Sequence, residues 1–168
     1  MKLFNGKPLF NIIIVMGVSG CGKTTIAARL AEELRWTFIE SDSYHSEEQI
    51  RKMASGIPLT DADRQPWLET LHALLVDMSS KDQPSVLACS ALKEKHRQTL
   101  SAGLENIRFV YLKGDYDLIW QRMQKRQHYM KPSMLRSQFD ALEEPENALV
   151  IDVALPSEKI VSEILQQI

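Results

Sequence analysis

Ile12-Ile13-Ile14-Val15-Met16-Gly17-Val18-Ser19-Gly20-Cys21-Gly22-Lys23-Thr24 is the stretch that decides the fold of this chain. Its first five residues form an apolar, β-branched run of strand length, and Gly17 to Thr24 then fits G-x-x-x-x-G-K-[ST] at every fixed position, ahead of a helical pattern. Strand, glycine-rich turn and helix in that order make a phosphate-binding P-loop. The glycines let the backbone curl so that successive N–H groups face one hollow, and the following helix adds the positive end of its dipole. The nucleotide-binding set on this reading is Gly17, Val18, Ser19, Gly20, Cys21, Gly22, Lys23, Thr24 and Thr25. Lys23 reaches the β- and γ-phosphates of a nucleoside triphosphate, and the Thr24 hydroxyl is the Mg²⁺ ligand. A turn that binds nothing would need a glycine or two and no lysine at this spacing.

Outward from this stretch, apolar runs alternate with amphipathic segments of helical length. Candidate strands are Asn11 to Met16, Thr37 to Glu40, Ser85 to Cys89, Arg108 to Leu112 and Leu149 to Asp152. Between and after them, helical patterns cover Lys23 to Arg35, Ser46 to Ser55, Pro66 to Ser79, Ala91 to Ala102, Tyr116 to Gln127 and Pro156 to Ile168. The alternation predicts an α/β fold, a five-stranded parallel sheet with helices on both faces, and a chain of 168 residues is long enough to build it as a single domain.

Composition narrows the partners. The chain is 44% hydrophobic and 25% charged with a net charge of -2, an ordinary globular balance without the basic excess of a nucleic-acid binder. The apolar run from Leu9 to Val18 is shorter than a membrane span and leads straight into the P-loop, so it reads as a short leader plus the first strand, with no membrane partner. The two cysteines, Cys21 and Cys89, lack metal spacing and make no disulfide framework, which points to a reduced cytoplasmic setting. Cys21 reads as a small P-loop filler, although a helix N-terminus and Lys23 beside it could activate its thiol.

A P-loop implies a nucleoside triphosphate without naming the chemistry. No N-K-x-D guanine motif is present, and the strand Ser85 to Cys89 runs into Ser90 instead of a Walker-B aspartate. The layout that remains is that of a small-molecule kinase, with an acceptor pocket beside the P-loop and a basic cover over the phosphates. Residues 122–138 suit that cover: Arg122, Lys125, Arg126, His128, Lys131 and Arg136 stand there with no acidic residue among them. Asp42 lies just past the second strand, at the carboxyl edge where open α/β sheets bind ligands, and can accept or orient a hydroxyl proton. His45 can hydrogen-bond a polyol, although Asp42 and His45 also stand among residues of capping type. Asp61, Asp63, Arg64, Pro66 and Trp67 form a charged, rigid corner in which Arg64 offers a fork to a carboxylate and Trp67 packs. Lys93 and Arg97, four apart on a predicted helix, would repel unless an anion sat between them or solvent screened them.

With these residues in place, the chain resembles the gluconokinases, P-loop kinases related to the shikimate kinases. The resemblance rests on Met16 to Thr24, the Asp42-x-x-His45 step, the block Lys52 to Leu68 ending in Asp63-Arg64-Gln65-Pro66-Trp67-Leu68, Cys89 to Lys93 with Arg97, and Ser137 to Glu143. It implies a three-layer P-loop kinase fold with a helical lid, and Mg²⁺-dependent phosphorylation of D-gluconate by ATP in a cytoplasmic homodimer. It carries Lys23, Asp42 and Arg126 over as catalytic residues and Arg122 and Arg126 as phosphate contacts. Asp42, His45, Arg64, Lys93, Arg97 and His128 fall on the side of the sugar acid. The chain departs from the family pattern at Ser41, at Ser46 to Gln49 and at Gln127 to Met130. A kinase for another polyhydroxy acid, and a non-catalytic ATP-binding sensor, therefore stay open at this point.

Overall fold

The computed structural model describes residues 3–4, 7–8, 10–125 and 132–168. A two-residue antiparallel pairing of Leu3–Phe4 with Lys7–Pro8 precedes the sheet. The sheet strands are β1 (Ile12–Met16), β2 (Thr37–Glu40), β3 (Ser85–Ala88), β4 (Ile107–Lys113) and β5 (Leu149–Asp152). They lie in the order β2-β3-β1-β4-β5, all parallel. Seven α-helices occur among the described residues: α1 (Lys23–Leu34), α2 (Glu47–Ala54), α3 (Asp61–Ser80), α4 (Glu94–Ser101), α5 (Tyr116–Lys125), α6 (Pro132–Ala141) and α7 (Ser157–Gln167).

β1 holds the centre, and all five of its residues are buried. Alternation along the strand sends Ile13 and Val15 to the face packed with α1, α5 and α7, through Leu30, Ile119 and Ile164. Ile12, Ile14 and Met16 go to the other face, against Leu68, Leu71 and Leu75 of α3 and Leu100 of α4. Burial on both faces is why the strand reads as one unbroken apolar run, and each such isoleucine contributes about 2 kcal/mol. The chain leaves β1 for β2 on one side and leaves β3 for β4 on the other. The crevice at the carboxyl ends of β1 and β3 is thus the switch point of the topology.

The predicted strands are all present, with no boundary shifted by more than one residue. Two helix starts differ by more than that. α3 begins at Asp61, five residues before the predicted Pro66, because Thr60 and Asp63 close a capping box: Asp63 N donates to Thr60 Oγ1 at 3.1 Å and Thr60 N donates to Asp63 Oδ2 at 2.6 Å. The charged corner of the sequence reading is therefore the first turns of a helix. α4 begins at Glu94 and not Ala91, since Ala91 holds a left-handed φ of 43° and Lys93 is extended at the N-cap. α6 is a helix that the sequence reading folds into its basic cover without separate bounds.

Candidate active site

Three loops at the carboxyl edge of the sheet build the site. The first is the P-loop after β1. Gly17 has φ +143°, and a Cβ there would meet the Leu112 carbonyl oxygen at 2.8 Å, so only glycine lets the loop turn this close to β4. Lys23, first residue of α1, folds its ammonium over the loop and donates to the Val18 carbonyl at 3.0 Å. Thr24 and Thr25 are exposed in the first turn of α1. Cys21 is buried and burial raises its thiol pKa, while burial pushes that of Cys89 up to about 12. Both thiols therefore stay protonated near neutral pH, which agrees with Cys21 as a filler.

The second loop follows β2 as a 3₁₀ turn, Ser41–Tyr44, and carries Asp42. The Asp42 carboxylate is mainly exposed and lies 3.7 Å from His45 Nε2. That imidazole, with lesser help from Lys23, holds its pKa below the ordinary carboxylate value against the opposing effect of burial. His45 is stacked on Trp67 with ring centroids 4.5 Å apart. Its Nδ1 faces Gln49 Oε1 at 3.1 Å. Gln49 is oriented by accepting from Ser46 N at 2.9 Å and donating to the Asp63 carbonyl at 2.5 Å, so the oxygen faces His45. His45 Nδ1 thus donates to Gln49, and Nε2 is the ring nitrogen that faces Asp42. Trp67 packs as predicted, and it also donates from Nε1 to the Ser41 carbonyl at 2.9 Å, tying α3 to the turn that carries Asp42.

The third loop, Ser90 to Lys93, follows β3, and Ser90 accepts from Gly17 N at 3.3 Å. Here the structure separates residues that the sequence reading puts together. Arg97 does not reach the acceptor side. Its guanidinium is buried, pairs with Glu94 through Nε at 2.9 Å and Nη2 at 2.7 Å, and donates from Nη1 to the Ala91 and Leu92 carbonyls at 3.1 Å. It fixes the strained Ala91 from behind. Lys93 and Arg97 do not share a helix face, and the anion beside Lys93 is Asp61, 2.9 Å away, which also takes Lys95 at 2.6 Å and His96 at 3.2 Å.

A cleft of about 320 Å³ joins the loops and brings Ser19, Asp42, His45, Arg64 and Ser90 together with Gln138 of α6. A contiguous hollow of about 280 Å³ extends past Arg64 to Asp61, Lys93 and His96. Arg64 is half-buried in both, and among the described residues its guanidinium has no hydrogen-bond acceptor. Burial lowers its pKa against the pull of Asp61, yet an arginine keeps its charge. A half-buried guanidinium fork without a partner is suited to a carboxylate from outside the chain.

On the other side of the P-loop, a cleft of about 310 Å³ is lined by Gly20, Gly22, Thr25 and Arg122, with Leu155 and Pro156 closing it. Leu155 and Pro156 escape sequence reading because a loop after the last strand bears no motif. Their apolar character beside a phosphate loop is the only signal they give. Arg126 and His128 lie outside the described residues. Arg136 stacks over the Tyr116 ring at 4.3 Å.

Comparison with known proteins agrees with this arrangement. The family model described as shikimate kinase matches residues 19–168. The thermoresistant gluconokinase of Escherichia coli is 40% identical over 163 residues, covering 94% of this chain and 93% of that protein. The gluconokinase of Gluconobacter oxydans is 44% identical over 140 residues, with 83% and 78% covered. The crystal structure of a gluconokinase from Sinorhizobium meliloti superposes with a TM-score of 0.85 at 41% identity, over 92% of this chain and 89% of that one. A P-loop at the switch point, an aspartate on the neighbouring turn and a likeness to these enzymes over most of the chain lead to one conclusion: the chain belongs to the shikimate kinase family and, within it, to the gluconokinases.

Proposed function

We propose that the protein transfers the γ-phosphoryl group of ATP to D-gluconate, giving 6-phospho-D-gluconate and ADP. The observation that carries this reading is the cleft in which a P-loop residue, an ionised aspartate and a guanidinium without an acceptor among the described residues meet, in a chain of the gluconokinase family. The gluconate carboxylate lies on Arg64, and its chain of hydroxyls runs past His45 Nε2. The terminal hydroxyl is presented to Asp42. As that oxygen forms its bond to the γ-phosphorus, Asp42 accepts the hydroxyl proton, and the bond from phosphorus to the β,γ-bridging oxygen breaks with its electron pair leaving on ADP. Lys23 turns from the Val18 carbonyl to the phosphates, and Arg122 flanks them from α5. Positioning and charge neutralisation supply the rate.

The residues fit Mg²⁺. The Thr24 hydroxyl is a hard oxygen donor in the first turn of α1, and among the described residues no cluster of three His, Cys, Asp or Glu side chains forms a dedicated metal cage. Such a site suits an ion that takes its remaining ligands from phosphates and water. When bound, Mg²⁺ neutralises charge on the phosphates. The homodimeric state and cytoplasmic setting belong to the same reading, the first supported by the motif resemblance and the second by that resemblance and the cysteine pattern; among the described residues no helix is long and apolar enough to cross a membrane.

The test is acceptor-dependent ADP release from Mg·ATP, with D-gluconate, other aldonates, shikimate and no acceptor compared side by side. Gluconate-dependent release that Lys23→Ala abolishes is the expected result. Preference for another acid would move the substrate, and ATP binding without release on any acid would leave a sensor.

A further inference from the structure

One P-loop donor is already taken by a side chain from across the cleft. Ser19 N donates to Gln138 Oε1 at 2.7 Å, a bond between residues 119 positions apart. Ser19 lines the acceptor cleft, whereas Gly20, Gly22 and Thr25 line the nucleotide cleft. Its N–H therefore stands at the junction of the two, where the transferring phosphoryl group passes. The helix behind Gln138 is anchored: Leu135 is fully buried, and Phe139 meets Tyr116 edge-on at 5.6 Å. The amide of Gln138 can move while α6 stays in place.

We propose that Gln138 is a positioning residue that stands in for an oxygen of the γ-phosphoryl group on Ser19, holding the loop's N–H ready and yielding it when the third phosphate arrives. An amide oxygen on a P-loop N–H has the acceptor chemistry of a phosphate oxygen without its charge, so it satisfies the donor while the site is empty and is displaced, at the cost of one hydrogen bond, by the stronger, charged acceptor. Gln138 thereby reads the third phosphate and not the nucleotide as such. The inference rests on the P-loop reading of the site but does not depend on which acid is phosphorylated.

The test is direct calorimetric binding, with Mg²⁺ and without acceptor, of a non-hydrolysable ATP analogue and of ADP to the unaltered protein, Gln138→Leu and Gln138→Glu. Leucine keeps the bulk and removes the competing oxygen, so the analogue binds about fivefold more tightly, the equivalent of one net hydrogen bond, while ADP affinity is unchanged. Glutamate keeps the acceptor and adds charge against the γ-phosphate, so the analogue binds at least about tenfold more weakly, again with ADP unchanged. Unchanged ADP affinity also reports that each variant is folded. An analogue-to-ADP ratio equal in all three proteins, or ADP affinity moving in step with the analogue, overturns the proposal. Failure of the unaltered protein to bind ADP would strike the P-loop reading itself.

Discussion

Replacing Arg97 by methionine separates two accounts of that residue. Methionine preserves most of the aliphatic stem, so the change removes four hydrogen bonds: two to Glu94 and one each to the Ala91 and Leu92 carbonyls. Glu94 is largely exposed and regains water, and the Leu92 carbonyl keeps its bond from Glu143 N at 2.9 Å, but the Ala91 carbonyl is left beneath a buried side chain. At about 1 to 3 kcal/mol for the one stranded carbonyl, the loss is about 2 kcal/mol. For a protein of this size that corresponds to a fall in Tm of roughly 4 to 8 °C. Because Arg97 stands behind the loop and not in the cleft, KM for gluconate at 25 °C stays within about threefold of the original, the residue reaching the substrate only through Ala91. An arginine that forked the substrate's carboxylate would instead cost about 3 kcal/mol of binding, near a hundredfold in KM, with Tm unmoved. Thermal unfolding and initial-rate kinetics on the same preparation decide the matter. A hundredfold rise in KM at constant Tm would refute the structural role.

Asp42→Asn should lower kcat by at least about a hundredfold while KM for ATP stays within about twofold, measured by coupled ADP release. Because the folded-state pKa of Asp42 lies below 3.8, the acid limb of kcat/KM in the unaltered enzyme should fall below that pH; a limb near pH 6 would assign the essential base elsewhere. Asp63 is held down to about 2, first by the Lys52 side chain and then by Thr60. A depressed folded-state pKa gives stability that is present above the unfolded value of 3.8 and lost as pH falls toward 2, so Asp63→Asn should flatten the acid side of the Tm profile in that window. An unchanged slope would place the Lys52 pair among inert surface contacts. Trp67→Phe leaves the Ser41 carbonyl without its donor and should destabilise by about 1 to 2 kcal/mol, lowering kcat more than it weakens ATP binding; the reverse order would show that the indole does not position Asp42.

What the sequence shows and what it hides divides along physical lines. The P-loop and the five strands are legible because each is local: a run buried on both faces is apolar throughout, and a phosphate nest requires its glycines in order. The start of α3 is hidden by Pro66, which resembles a helix beginning, while the true signal, Thr60 with Asp63, is a capping box closed by the shorter acid. α6 is obscured by its basic residues, although Leu135, Phe139 and Leu142 keep helical spacing on a face that meets the core. Lys93 and Arg97 mislead because spacing presumes a continuous helix, and Lys93 is extended at the N-cap, outside the helix that holds Arg97. Arg64 is legible as a candidate binder only in type, since its lack of an acceptor among the described residues is a tertiary fact.

The two walls of the cleft come from separate stretches of chain. The nucleotide side is assembled from the P-loop, α5 and the loop after β5, whereas the acceptor side comes chiefly from the crossover between β2 and β3, with Asp42, His45, Arg64 and Trp67 within 26 positions of one another. With Asp42 kept, mutation can rewrite the rest of that crossover without disturbing the residues proposed to grip the phosphates. Substrate range and phosphoryl-transfer machinery are in this sense separately heritable, and a lineage can try new acids while keeping its chemistry intact.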